Sequence, residues 1–175
     1  MTRNVLPVLA ARLAADRDAV NAFIATARGV APERWAEPRA PGKWSPAQVV
    51  EHIALAYESN LRLLRGRVPG GAPRWLRPLI RKVLLGYVLR RGSFPRGSRA
   101  PKILKPDASP AAGPASELIP RLETAAGAFE ASAAAHPSDT LEHPFFGQVP
   151  VADMVRLMEL HTRHHRPQLL PIPPD

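Results

Sequence analysis

Residues 43–54 read Lys43-Trp44-Ser45-Pro46-Ala47-Gln48-Val49-Val50-Glu51-His52-Ile53-Ala54. A serine hydroxyl accepts from the free N–H groups of a helix's first turn, so Ser45 suits an N-cap. Pro46 suits the first helical position, where its missing N–H has no bond to lose. Gln48, three residues past Ser45, completes an S-x-x-Q capping box. A helix is therefore predicted from Ser45 to about Arg65, with Gly66 ending it. Val49, Val50, Ile53, Leu55, Tyr57, Leu61 and Leu64 surround most of its circumference, which marks a helix buried on several sides. His52 shares a face with Ser45, Gln48, Val49, Ala56 and Ser59, neighbours small or polar enough to leave room around an imidazole.

Working outward, residues 3–28 carry Leu6, Leu9, Leu13, Val20, Phe23, Ile24 and Ala27 at helical spacing, with Gly29 as the stop. Val30–Lys43 holds three prolines and Gly42 and reads as a loop. After a turn at Gly66–Pro73, residues 74–91 pair apolar positions (Trp75/Leu76, Leu79/Ile80, Val83/Leu84, Tyr87/Val88) with basic ones between, an amphipathic helix that Pro78 starts or kinks. Gly92–Pro114 reads as a long irregular connection. A further helix is predicted from Ala115 to Ala135, a loop over His136–Val149, and a last helix from Pro150 to about Leu170. No alternating strand pattern exceeds four residues. Four helices of about 20 residues with one long central connection predict an all-α four-helix bundle. Residues 1–175 would form one domain, with residues 66–114 as a basic Pro/Gly-rich insertion.

Composition agrees with this plan. The 28 alanines favour helix, and the 21 prolines stiffen the connections between helices. The absence of cysteine excludes disulfides, thiolate metal sites and thiol nucleophiles. The net charge of +9 is local: Ser59–Pro106 contains 13 of the 24 Lys and Arg residues and no acid, leaving 11 basic against 15 acidic residues elsewhere. Only ten of the 175 residues are aromatic, which argues against a base-stacking nucleic-acid module. Residues 1–30 lack the apolar run of a signal peptide, and the longest apolar run, Val83–Leu89, is far short of a membrane span. A cytoplasmic location is the expectation.

Six histidines are present: His52, His136, His143, His161, His164 and His165. On the last helix His161 and His165 stand one turn apart, about 40° around the axis. They share that sector with Val151, Met154, Val155, Met158 and Leu169, so both should face inward. The H-x-x-x-H spacing lets two imidazoles hold one metal from a single face, and His52 on a facing helix would supply a third. From the residues alone His164 could replace His165, or all three could be solvated near a helix C-terminus, where charged imidazole is favoured.

The segment 43–54 resembles the W-S-x-x-x-h-x-x-H-h segment of the DinB/YfiT-like superfamily. Leu160-His161-Thr162-Arg163-His164-His165-Arg166-Pro167-Gln168-Leu169 resembles that family's closing H-x-x-x-H-R-G-Q signature, and His143-Pro144-Phe145-Phe146-Gly147 resembles its h-x-H-P-x-F-G loop. The resemblance implies a four-helix bundle with one divalent metal on three histidines, here His52, His161 and His165, and makes His164 a neighbour. Gln48, Gln168 and His164 are the expected outer partners of the site. Pro167 replaces the family's glycine and should kink the helix just past His165.

Three neutral imidazoles leave the ion its full charge, suited to activating water or a thiol. The resemblance therefore implies a thiol-dependent S-transferase or a hydrolase acting on a small molecule. Zinc is the first expectation, then nickel or iron, with a low-molecular-weight thiol as a second cofactor. Glu51 and Glu159 project away from the ligands around their helices, so no catalytic acid or base is assigned. The basic segment is expected to pack on the bundle as a lid, where Arg74, Arg77 and Arg81 would favour an anionic substrate or thiol. The alternatives are a homodimer surface and peripheral contact with an anionic membrane, a non-catalytic role for residues 59–106.

Overall fold

The computed structural model describes residues 5–66, 71–95, 104–106 and 113–171. The first two residues of the expected opening helix and much of the expected connection over 92–114 lie outside these. The chain is mostly helical: α1 (Val5–Arg28), α2 (Pro46–Leu64), α3 (Arg77–Ile80), α4 (Gly86–Arg91), α5 (Ala115–Ala135) and α6 (Val151–His165). A hairpin of β1 (Thr140–His143) and β2 (Gly147–Pro150) precedes α6. No helix among the described residues is long and apolar enough to cross a membrane.

The capping box at Ser45 forms as predicted. The Ser45 hydroxyl accepts from the Gln48 N–H at 3.3 Å, and the Gln48 side chain accepts from the Ser45 N–H at 3.1 Å. The four long helices then share one core. α2 lies along α5 and α1 along α6, with Phe23, Val49, Val50, Ile53, Tyr57, Leu122, Phe129 and Val155 fully buried between them. On α5 Leu118, Ile119, Leu122, Ala125, Ala126, Phe129 and Ala133 are all buried. Its alanines let the backbone approach α2 closely, and Arg121 then forks onto Glu58 of α2 at 2.6 and 3.0 Å. Arg12 of α1 reaches Asp153 of α6 at 2.6 Å.

Four boundaries differ from the sequence expectation. Residues 136–149 do not form a plain loop: Leu141 pairs with Val149 and His143 with Gly147 in an antiparallel hairpin. Each strand is four residues long, too short for alternation to stand out. Pro150 is the N-cap of α6, one position earlier in role than expected. α6 ends at His165, and Arg166–Leu169 continue as a 3-10 turn because Pro167 has no N–H to keep the α-helical ladder. The helix expected over 74–91 begins at Arg77, with Pro78 in its first turn, and passes through a π-helical stretch, Arg81–Leu85, before α4.

The hairpin is the platform for this basic segment. The Ala72 N–H donates to the Pro144 carbonyl at 3.0 Å, an approach so close that a Cβ on Gly71 would stand 2.1 Å from the Pro144 oxygen. Arg77 bonds Glu142 of β1 at 2.7 Å and the Ala72 carbonyl at 2.8 Å, and Arg81 donates to the Gln148 carbonyl of β2. Leu85 and Val88 bury themselves against Leu63, Leu141, Val149, Met154, Leu157 and Leu160. Gly92 ends α4 in the left-handed conformation (φ 67°), which glycine adopts without a Cβ penalty.

Candidate metal centre

His52 reaches the centre because the Ser45 cap, about two turns before it, fixes where α2 starts. His161 and His165 arrive from the last turns of α6. The structure brings these three imidazoles together, with one ring nitrogen of each within 4.8 Å of the others. His52 Nε2 and His161 Nε2 are 3.1 Å apart. Two nitrogens on one tetrahedral zinc, at bonds of about 2.0–2.1 Å, stand about 3.3 Å apart. No carboxylate among the described residues joins the group. His52 and His165 are buried, while His161 keeps partial exposure, against the expectation that both α6 imidazoles avoid water.

The outer contacts decide which nitrogen each ring offers. His52 Nδ1 is 2.6 Å from the Leu104 carbonyl. A carbonyl only accepts, so Nδ1 carries the hydrogen and Nε2 keeps its lone pair facing His161. His165 Nδ1 donates to Gln168 Oε1 at 3.1 Å with the same result. Such outer partners orient imidazole ligands and set their tautomer. The 3-10 turn forced by Pro167 is what brings Gln168 back over His165.

The imidazoles are held neutral, the form that binds a metal. Burial is the main cause for all three. It pushes His165 down to about 3, with help from His52 and His164. It takes His161 well below its ordinary value, helped by His165, His52 and His164. It lowers His52 against the opposing pull of the Leu104 carbonyl.

Aromatic rings wall the cluster. Trp44, immediately before the cap, lies 4.8 Å from the His52 ring and 6.2 Å from His165. Phe94, just past α4, lies 5.3 Å from His161 and 5.7 Å from His164. His164 is partly exposed, and its ring stands 5.0 Å from that of His165. Beneath the cluster Tyr57 donates to Asp16 at 2.7 Å and meets the Thr162 hydroxyl at 3.1 Å, tying the residue after His161 to α1 and α2.

The other candidate residues have different surroundings. Gln48 closes the α2 cap. Glu159 is buried but clamped by Arg156 and Arg163. Arg77 is paired with Glu142, so its charge is already matched, and Arg81 is bound to the hairpin. Arg74 is exposed. His143 accepts the N–H groups of Phe145 and Phe146 at 3.2 and 3.3 Å, which shapes the hairpin turn. Burial and then Arg77 push its pKa down to about 4. Sequence reasoning gave no role to Trp44, Phe94 or Leu104. Trp44 had two signals, its place directly before the cap and its match to the tryptophan of the W-S segment. Phe94 and Leu104 had none, because both come from irregular chain remote in sequence from the rings they touch.

A family model described as the DinB superfamily matches residues 12–169. No curated protein and no solved structure matches the chain. The family match reaches into all four long helices and includes all three converging imidazoles, and the chain belongs to the DinB superfamily.

Proposed function

We propose that this chain is a metalloprotein of the four-helix-bundle type in which His52, His161 and His165 hold one divalent ion, zinc before nickel or iron. In this reading the chain is one domain, residues 66–114 are an insertion into it, and the site serves a thiol-dependent transferase or a hydrolase of a small molecule. The observation that carries the reading is the pair of outer hydrogen bonds, Leu104 to His52 and Gln168 to His165, which leave two Nε2 lone pairs free for one ion. The donor set is neutral, nitrogen-only and three in number, which suits zinc and leaves a position open. When bound, such an ion supplies Lewis acidity that lowers the pKa of a water or thiol.

The chain's own residues do the rest. Leu104 and Gln168 hold a proton on each Nδ1 and so fix which way each ring faces. Trp44 and Phe94 exclude water from two sides of the rings.

Elemental analysis of untagged protein tests the reading, beside a variant with all three histidines replaced by alanine. About one equivalent of metal in the parent and none in the variant is the expected result. A parent that binds no offered ion after dialysis would make the cluster structural and end the enzyme reading. With metal established, thiol-transfer and ester-hydrolysis screens separate the two reaction classes.

A further inference from the structure

The basic segment presents two faces. Leu85 and Val88 are buried against the hairpin, α2 and α6. The rest of the segment holds large apolar side chains in the open: Trp75 is 80% exposed, Val83 62%, Leu79 58%, Leu84 43% and Tyr87 40%. Apart from Leu6, Val8 and Leu170 near the ends of the described chain, these are all of the exposed large hydrophobics among the described residues. Scattered apolar residues on a surface are ordinary, but a contiguous patch marks an interaction site.

Trp75, Leu79, Val83 and Tyr87 recur every four residues. In an α-helix such a repeat drifts about 40° per step, because four residues overshoot a turn of 3.6. The π-helical stretch Arg81–Leu85 has a wider turn and reverses part of that drift between Leu79, Val83 and Tyr87, while Trp75 stands in the turn just before α3. Cations border the line: Arg74, Arg81, Lys82, Arg90 and Arg91 are all exposed. Among the described residues none of them has a carboxylate partner; Arg90, Arg91 and Tyr87 together line a shallow open groove. No acidic residue occurs anywhere from Ser59 to Pro106.

We infer that this face docks on an anionic lipid bilayer, lying in the interface without spanning it. The charge argues against a second copy meeting it face to face, since that contact would set cation against cation. Nucleic acid would engage the cations but leave Leu79 and Val83 in water. An anionic membrane satisfies both: headgroup phosphates meet the cations, the aliphatic line enters the acyl boundary, and Trp75 and Tyr87 sit at the headgroup level that aromatic residues with a polar edge prefer.

Co-sedimentation of the full chain with phosphatidylglycerol-containing vesicles and with pure phosphatidylcholine vesicles tests this. Binding at least about tenfold stronger to the anionic vesicles, and weakened by salt, is expected. Leu79→Asp with Val83→Asp should lower it by a further tenfold or more, with an unchanged helical spectrum because both positions are exposed. Lys82→Glu with Arg90→Glu should remove the anionic preference. No sedimentation with anionic vesicles at low salt would overturn the proposal. So would binding that survives the two aspartates, which would assign the face to any anionic polymer. Self-association abolished by the aspartates, without vesicle binding, would assign it to a second copy. Metal content is unaffected by any of these results, so the membrane proposal and the metal reading stand or fall separately.

Discussion

α2 and the run from α3 to α4 are both rich in aliphatic residues, yet they meet their surroundings in opposite ways. α2 touches α5, α6, β1 and the turn after α6, and eleven of its nineteen residues are buried. The α3–α4 run buries only Leu85 and Val88 and turns a longer apolar line outward. α2 carries an ionisable side chain, His52, in its buried part; in the outer run Arg77 is half-buried on Glu142 and the other cations are exposed. Aliphatic content alone therefore does not decide burial. What decides it is whether neighbours surround the helix, and the outer run has the body on one side only.

The sharpest way to break the contrast is at the three clustered histidines. His161→Ala should abolish metal binding while the helical spectrum persists, since alanine keeps the helix and the four-helix core is built from other side chains. Elemental analysis and circular dichroism on one preparation check both halves. Phe129→Ala should cost about 3–5 kcal/mol, because the ring is fully buried against Tyr57 and leaves a cavity. Urea unfolding measures it, and a loss under about 1 kcal/mol would mean that α5 repacks freely.

Asp16 offers a comparable effect with a pH signature. Burial raises its pKa to about 7 from an ordinary 3.8, in spite of the hydrogen bond from Tyr57, which pulls the other way. The folded carboxyl keeps its proton up to about pH 7, while the unfolded one releases it near 3.8. Its contribution is therefore full at low pH and is lost as pH rises through that window, on the order of 4 kcal/mol. In Asp16→Asn this slope should vanish, because the amide oxygen still accepts from Tyr57 and never ionises. Parallel stability curves of parent and variant from pH 4.5 to 7.5 would refute it.

Gln168→Ala should weaken zinc affinity about 10–100-fold by freeing the His165 ring, without changing the stability of metal-free protein. Chelator competition reads the first and thermal unfolding the second. At the outer face, Val83→Asp should change stability by no more than about 0.5 kcal/mol. A larger loss would show that this face is packed in solution and would erase the distinction from α2.

The sequence made the long helices legible because local chemistry sets their ends. Ser45, Pro46 and Gln48 encode a start, and Pro114 and Pro137 bracket α5. The three imidazoles were legible because α-helical spacing is rigid over one turn and because motif order carried His52 across to α6. The hairpin was not, since two four-residue strands leave no pattern, and it is identified only by the Leu141–Val149 and His143–Gly147 pairs. Nor were Phe94 and Leu104, whose contacts depend on where irregular chain returns to the body. Pro167 was read correctly as a break, but not as the cause of the turn that carries Gln168 onto His165.

Phe94 and Leu104 have a consequence for anyone recombining this protein with a relative. Both belong to the basic stretch, one against His161 and the other against His52. A chimaera that exchanges only this stretch would leave all three imidazoles in place and still alter the cluster, changing the wall beside one ring and the acceptor behind another. The unit of exchange is therefore the stretch together with α2 and α6. A crossover at Gly66 or Gly113, which looks harmless on the chain, divides what the centre needs kept whole.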